Sequence, residues 1–391
     1  MAYHKTILIF YYKRYPLYPL KTIKLIALLF DIYIYQCFIV WCIKIFGVKI
    51  NMPNISVVFC GVRYPEYDIY YAAKNMRNIF PGCELILSTN DASLISHAEQ
   101  NNFFDKVVHC KNTGELPSLK YPENKKEKLI NNNIKKQIDT SRAGIEVASN
   151  ELILKLRTDQ IIVNDDILKL WNLVKDIPLK NKKYRNRIIT SSVFSINPRY
   201  SERMPYHLSD MLQFGMKEDL LSYYSAPEYP FAYAIWYEKH SHAKNSNNNE
   251  RKFRSRFAVE QWLLLNYIFE NEQSFPINYH NHHSPKIIKE FEALFTDYFL
   301  IAHPDDIGLR ASKFEPNMSY VNNQCYSTHE CLRILQKNNC LSEDLAINYK
   351  PKGINKKFYK QIKIILDLKI VQLLIKNIPY SLKENLKKMI S

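Results

Sequence analysis

Residues 151–166 read ELILKLRTDQIIVNDD. The run ELILKL is short and strongly apolar, which marks a buried strand. It delivers Arg157, Thr158 and Asp159 to its C-terminal end, and more polar residues follow at once. The same grammar holds on both sides of it. ISVVFC (55–60), ELILST (84–89), KVVHC (106–110) and RIITSSVFS (187–195) read as further strands. YDIYYAAKNMRNIF (67–80), LISHAEQNNF (94–103), a segment at about 127–148 and DDILKLWNLVKD (165–176) read as helices between them. Strands alternating with helices predict an α/β fold, a mainly parallel sheet flanked by helices. Such sheets bind ligands beyond the C-terminal ends of their strands. Arg157 and Asp159 stand where that rule places a site.

Composition narrows the class. At 391 residues and 47% hydrophobic, the chain can build a large core. Its net charge of +16 is unevenly spread. Residues 1–50 carry seven Lys or Arg against Asp31 alone. Residues 351–391 carry ten Lys against Asp367 and Glu384. The middle is nearly neutral, unlike a nucleic-acid-binding body, so no nucleic-acid partner is expected. Basic ends rich in Ile, Leu, Phe and Tyr point to an anionic membrane surface. IKLIALLFDIYIYQCFIVWCIKIF (23–46) is interrupted by Asp31 and Gln36, which favours a membrane helix lying in the plane or shallow. FYKQIKIILDLKIVQLLIKNIPYSLKENLKKM (358–389) reads as a basic amphipathic helix.

Several functions lose their support. No GxGxxG or GxxxxGK[ST] is present, and only 8 residues are Gly, so the common glycine-rich phosphate cradles are missing. None of the 8 Cys forms a CxxC pair, which predicts free thiols rather than a zinc site or a disulfide framework. YEKHSHAKNSNNNERKFRSR (237–256) reads as a mobile polar loop, with His240 and His242 solvated.

Four blocks, in order, carry a resemblance: ISVVFCGVRYP with NIFPGCELILSTND, then LKLRTDQII, then YHLSDMLQFGMKEDL, then EQWLLLNY. Together they resemble the WavE family of lipopolysaccharide-synthesis glycosyltransferases from about Asn54 to about Lys313. The resemblance implies a GT-A-like fold and a nucleotide-sugar donor. It also implies a divalent cation, Mn²⁺ or Mg²⁺, bridging the donor phosphates from an acidic motif at the end of the fourth strand. Here that motif is Arg157-Thr158-Asp159, with arginine in the first acidic position. Asp159 becomes the implied metal ligand and Arg157 a direct phosphate contact.

The other implied roles follow the same pattern. The loop CGVRYPE after the first strand offers Gly61, whose backbone can approach a ligand closely, and Arg63. Asn90 and Asp91 in STND stand for the base or ribose, and Gln137 and Arg142 in NNNIKKQIDTSRAGIEVA for further donor contacts. In MPYHLSDMLQFGMKEDL (204–220), His207, Ser209 and Gly215 would line the acceptor side, with Gly215 at a second bend, and Asp210 is a candidate base or sugar-hydroxyl binder. Glu260, opening the apolar helix FAVEQWLLLNYIFE (257–270), ranks first as the base that takes the acceptor's proton.

The expected organisation is a membrane-associating helical segment over 1–50, a GT-A-like domain over 51–320 and a C-terminal helical extension over 321–391. The expected function is a metal-assisted single displacement from a nucleotide sugar to a lipopolysaccharide or other surface-glycan acceptor, at the cytoplasmic face of a bacterial inner membrane. A sugar-nucleotide nucleotidyltransferase and a non-catalytic membrane scaffold with a degenerate fold are the alternatives.

Overall fold

The computed structural model describes residues 53–353 apart from 123–130, 181–183, 201, 313, 315–318 and 342–343, together with 356, 361, 365, 368 and 371. The predicted membrane segment 23–46 and nearly all of the amphipathic stretch 358–389 lie outside the described residues. Among the described residues, no helix is long and apolar enough to cross a membrane.

Among the described residues, nine strands run in chain order: β1 (Ile55–Cys60), β2 (Glu84–Thr89), β3 (Lys106–His109), β4 (Leu152–Arg157), β5 (Gln160–Ile162), β6 (Ile188–Ser191), β7 (Gln213–Met216), β8 (Phe299–Ala302) and β9 (Leu309–Ala311). The helices that frame the sheet and the site are α1 (Ile69–Ile79), α2 (Ala92–Asn101), α3 (Ile134–Glu146), α4 (Asp166–Val174), α5 (Lys217–Tyr223), α6 (Val259–Ile268), α7 (Pro285–Ala293) and α8 (Thr328–Lys337). Seven strands form one sheet in the order β3-β2-β1-β4-β7-β6-β8. All neighbours are parallel except β7, which is antiparallel to both β4 and β6. The fold is therefore the expected α/β arrangement, a largely parallel sheet flanked by helices. β5 and β9 pair separately as a two-stranded ribbon.

Strand β4 explains why the sheet carries a site. Leu152, Leu154 and Leu156 alternate with Ile153, Lys155 and Arg157, so period-2 geometry puts the two cations on one face. On the leucine side, Leu154 is in register with Phe214, and Trp171 of α4 meets Phe214 edge-on at 5.4 Å. On the cation side lie α3 and α5, which touch each other as well as the sheet. Helix α3 sits unusually close to β1 and β2, because Gly144 has no side chain. A Cβ there would lie 2.5 Å from Val58 Cγ1 and 2.8 Å from Ser88 Cβ.

Chain order makes the crevice. β1 leads outward to β2 and β3, and the chain then returns to the other side of β1 to form β4. This reversal between β1 and β4 is the topological switch point, where open α/β sheets hold their ligands.

The structure departs from the sequence reading in four places. The strand expected over 187–195 stops at Ser191, where the chain turns and Phe194 takes φ 67°. Gly215 is no bend: it lies inside β7 with ordinary backbone conformation, and a Cβ there would meet nothing nearer than 3.6 Å. Residues 237–256 carry more structure than a mobile loop. Glu250 pairs with Arg203 and accepts from Asn247 N, while His240 and His242 stack on Trp236 and Tyr237 at 3.6 and 3.7 Å. The 320/321 division also cuts through packed structure. Ile301 N donates to Cys331 Sγ and His303 N to Thr328 Oγ1, which ties α8 onto β8. The six described cysteines are free thiols, as expected.

Gly144→Val should therefore overpack the α3–sheet contact and cost about 1–3 kcal/mol, as added core methyls do. Gly215→Ala should be neutral or slightly stabilising, since glycine within a strand interior is itself unfavourable. Thermal unfolding followed by circular dichroism checks both: the valine variant melts several degrees lower, and the alanine variant does not.

Candidate active site

A cavity of about 400 Å³ opens over the C-terminal ends of β1 and β4 and the N-terminal half of α3. Its lining includes Gly61 and Tyr64 from the β1 loop, Asn90 after β2, Lys136 and Gln137 from α3, and Lys155 and Arg157 from β4. The loop after β1 is pinned to the end of β4. Thr158 N donates to Cys60 O at 3.1 Å and Thr158 Oγ1 to Val62 O at 2.5 Å. Gly61 holds φ +133°, and a Cβ there would stand 2.9 Å from Thr158 Oγ1. Both the backbone angle and the space thus require glycine at that position.

Among the described residues, three cations line this cavity, and each is held by an acid. Arg157 makes a two-pronged pair with Asp159, Nε to Oδ1 at 2.8 Å and Nη2 to Oδ2 at 3.0 Å. Its Nη2 also donates to the Tyr64 hydroxyl at 2.6 Å. Burial works against the guanidinium charge, but the Asp159 carboxylate more than restores it and raises the pKa of Arg157. Lys155 is almost fully buried in mid-strand. Its Nζ donates to the Asp210 carbonyl at 2.5 Å, lies 3.8 Å from Asp210 Oδ2, and sits 5.3 Å from the centre of the Tyr224 ring. Lys136 pairs with Glu115 at 2.7 Å. The Cys60 thiol also lines the cavity, but burial pushes it up to about 11. It is a neutral group there and no nucleophile.

The predicted donor residues divide. Gly61, Asn90, Gln137 and Arg157 line the cavity together. Arg63 lines a neighbouring cavity of about 420 Å³ on the other side of the β1 loop. Asp91 accepts from Ser93 N and Leu94 N as the cap of α2, and from Arg63 N at 2.9 Å. Burial opposes its charge, yet these bonds hold its carboxyl below the usual range. Arg142 turns outward to Glu146, one helical turn on, at 2.8 Å. Lys136 occupies the position on α3 for which Arg142 was expected.

Asp159 has work other than the expected one. Its side chain is fully enclosed. Both carboxylate oxygens face Arg157, and Oδ2 also accepts from the Ser312 hydroxyl. Among the described residues, no three His, Cys, Asp or Glu side chains gather as a metal-ligand set. A hard divalent cation wants several oxygen ligands, commonly including one or two free carboxylates. One enclosed carboxylate already shared by a guanidinium and a hydroxyl does not fit that requirement.

The acceptor-side residues form a second group. Ser209 is buried, and its hydroxyl accepts from Met211 N at 3.3 Å. Asp210 is buried behind the cavity wall. Its Oδ2 accepts from the Gln137 amide, and the residue backs Lys155. Gly215 is a strand residue, as described above. His207 Nδ1 donates to Phe194 O at 2.8 Å, and its Nε2 lies 3.3 Å from Glu260 Oε2. Glu260 is in the first turn of α6 and keeps part of its side chain exposed. The helix start is fixed by Gln261, whose Oε1 accepts from Ala258 N and whose Nε2 donates to Pro205 O and His280 O. Val193, Met211, Ala311, Phe314 and Val321 form a packed cluster with Phe194 against it. Ser312, next to that cluster, holds Asp159.

Sequence reading missed Lys155, Lys136, Tyr64 and Ser312. Lys155 had a usable signal, being a lysine inside an apolar strand two residues from Arg157. Ser312 had none, because it reaches Asp159 across 153 residues.

The family model for WavE lipopolysaccharide synthesis matches residues 60–369. That range reaches further into the C-terminal part than the 54–313 resemblance. No curated protein matches the chain. Among solved structures, an active-site mutant of LgtC is 13% identical, covers 74% of this chain and 96% of its own, with a TM-score of 0.30. The glycosyltransferase GlyE of Streptococcus pneumoniae TIGR4 is 11% identical over 80% of this chain and 99% of its own, at 0.26. HddC from Yersinia pseudotuberculosis is 12% identical over 44% and 79%, also at 0.26. At these scores the overlap is loose, and the family match carries the assignment.

If Asp210 is the counter-ion of Lys155, Lys155→Met should cost about 3–5 kcal/mol, because it strands a buried carboxylate. Adding Asp210→Asn should recover a large part of that loss. Urea denaturation of the two variants measures it; equal stability of both would contradict the pairing. The chain belongs to the WavE lipopolysaccharide-synthesis family, and is a glycosyltransferase of the kind its sequence resembles.

Proposed function

We propose that this glycosyltransferase takes its sugar from a nucleotide-sugar donor bound in the cavity over β1 and β4, and passes it to a lipopolysaccharide or other surface-glycan acceptor. The observation that supports this most is the convergence of Lys136, Lys155 and Arg157 on one cavity at the switch point of the sheet. A donor diphosphate needs fixed N–H donors and positive charge, and its leaving group needs them more as the glycosidic bond breaks. Gly61 gives the nucleotide close access to the backbone, and Asn90 offers amide hydrogen bonds to base or ribose.

For the acceptor, Glu260 is the base in this reading. It combines a partly exposed carboxylate with a nearby imidazole that fixes its direction. Asp210 is demoted, since Lys155 and Gln137 occupy it on the protein side. The reaction is a single displacement: the acceptor oxygen attacks the anomeric carbon, Glu260 takes its proton, and nucleoside diphosphate leaves. A divalent cation at Asp159 plays no step here, because that carboxylate is already engaged.

The proposal also places the enzyme at the cytoplasmic face of the inner membrane, where lipid-linked acceptors are made. The support is the excess of lysine over residues 351–391, together with the exposed apolar side chains of Ile365 and Leu368. Each lysine near an anionic surface is worth about 1 kcal/mol, so several suffice for recruitment.

Incubation with a panel of nucleotide sugars, without acceptor, should release nucleoside diphosphate slowly from one of them; pyrophosphate released instead from a nucleoside triphosphate supplied with a sugar 1-phosphate would mean a nucleotidyltransferase, and no product in either assay a scaffold. With the acceptor, Glu260→Gln should lower turnover about 10²- to 10⁴-fold and leave donor affinity nearly unchanged. Loss of turnover in Asp210→Asn but not in Glu260→Gln would move the base to Asp210. Removal of residues 351–391 should weaken sedimentation with anionic liposomes in a salt-dependent way, and unaltered sedimentation would contradict the C-terminal membrane contact.

A further inference from the structure

Resting on the donor reading above, we propose that the enzyme grips the donor diphosphate with protein cations in place of a divalent metal. Arg157 and Lys155 supply the charge, and Asp159 is the positioning residue that aims Arg157.

Four observations converge on this. The strand end that would present a metal-binding acid presents an arginine instead, in the lining of the cavity. The acid two residues on has turned back onto that arginine with both oxygens and is sealed from solvent. A second cation, Lys155, lies two residues earlier on the same face of β4 and reaches the same cavity. Its own counter-ion, Asp210, stands behind the wall and not in the lining. Among the described residues, the one acid in the lining is Glu115, which is bonded to Lys136 and Asn131. The cavity thus offers N–H donors where a metal site would offer free carboxylates.

The geometry of Arg157 suits the task. Its Nε and Nη2 face Asp159, and Nη2 also meets Tyr64, which fixes the plane of the guanidinium. Nη1 takes no part in these bonds, which leaves its N–H groups for a phosphate oxygen. Placing a doubly charged ion on Asp159 would require it to displace the guanidinium and the Ser312 hydroxyl, and would leave Arg157 repelled at close range.

Isothermal titration of the full chain with UDP, GDP, CDP and ADP tests this, in excess EDTA and again with Mn²⁺ or Mg²⁺. One of these should bind in EDTA, and metal should change its Kd less than about threefold. Arg157→Met/Asp159→Asn removes the pair as a neutral unit, so that the fold survives, and should weaken that binding about 10- to 100-fold, the worth of a charge-assisted hydrogen bond. Lys155→Met/Asp210→Asn should do the same. Binding seen only with metal, and lost in Asp159→Asn, would overturn the inference and leave the donor reading intact. Wild-type affinity in Arg157→Met/Asp159→Asn would also overturn it. If no nucleoside diphosphate binds the folded protein under either condition, the donor reading fails and this inference with it.

Discussion

The structure turns on two cations held on one face of one strand. Lys155 and Arg157 are two residues apart on β4, so the pleat sends both to the side covered by α3 and α5. Neither charge is tolerable there alone. An unpaired buried ion costs several kcal/mol after relaxation. The fold meets that cost with Asp210 behind Lys155 and Asp159 beside Arg157. Both pairs are tied to distant parts of the chain. Asp210 precedes β7, the strand that runs antiparallel within the large sheet, and Asp159 is fixed by Ser312 next to the β5–β9 ribbon. The site therefore draws the late part of the chain onto the early part.

This arrangement also inverts an expectation about which groups do chemistry. The acids singled out in sequence, Asp159 and Asp210, are the best buried of the candidate acids, and each spends its oxygens on protein partners. The basic residues they support are the ones that face the cavity. Burial and function separate in a physically sensible way. A carboxylate sealed from water can hold a cation in place for a ligand, but it cannot readily release that cation to bind a metal or accept a proton. Glu260 differs because it opens a helix with part of its side chain in solvent and has an imidazole, not a guanidinium or ammonium, beside it.

Much of the fold is legible in the sequence because it rests on local pattern. β1 and β2 carry short, largely apolar runs, and their limits match the sequence reading residue for residue. The end of β4 as a site is legible too, since polar residues directly after a buried strand mark where the chain emerges at the sheet's ligand-binding edge. What local pattern does not encode is pairing at long range. Arg142 and Lys136 lie on the same helix with the same charge, and only the packing of α3 against β1 and β2 decides that Lys136 faces the cavity. Gly215 suggests a bend because glycine is rare in this chain. Its strand place follows from hydrogen bonding of β7 to β4 and β6, which no local rule encodes. Asp91 has the spacing of a ligand-binding rim residue, but its place before Ser93 and Leu94 equally fits the helix cap that it forms.

The most direct test of the central claim is a crystal structure with a nucleoside diphosphate bound. The account predicts the diphosphate in the cavity over β1 and β4, with its oxygens in hydrogen-bond contact with Arg157 and Lys155, and with Asp159 still paired to Arg157. A nucleotide seated elsewhere, or a diphosphate held to Asp159 through a metal ion with Arg157 swung away, would contradict it.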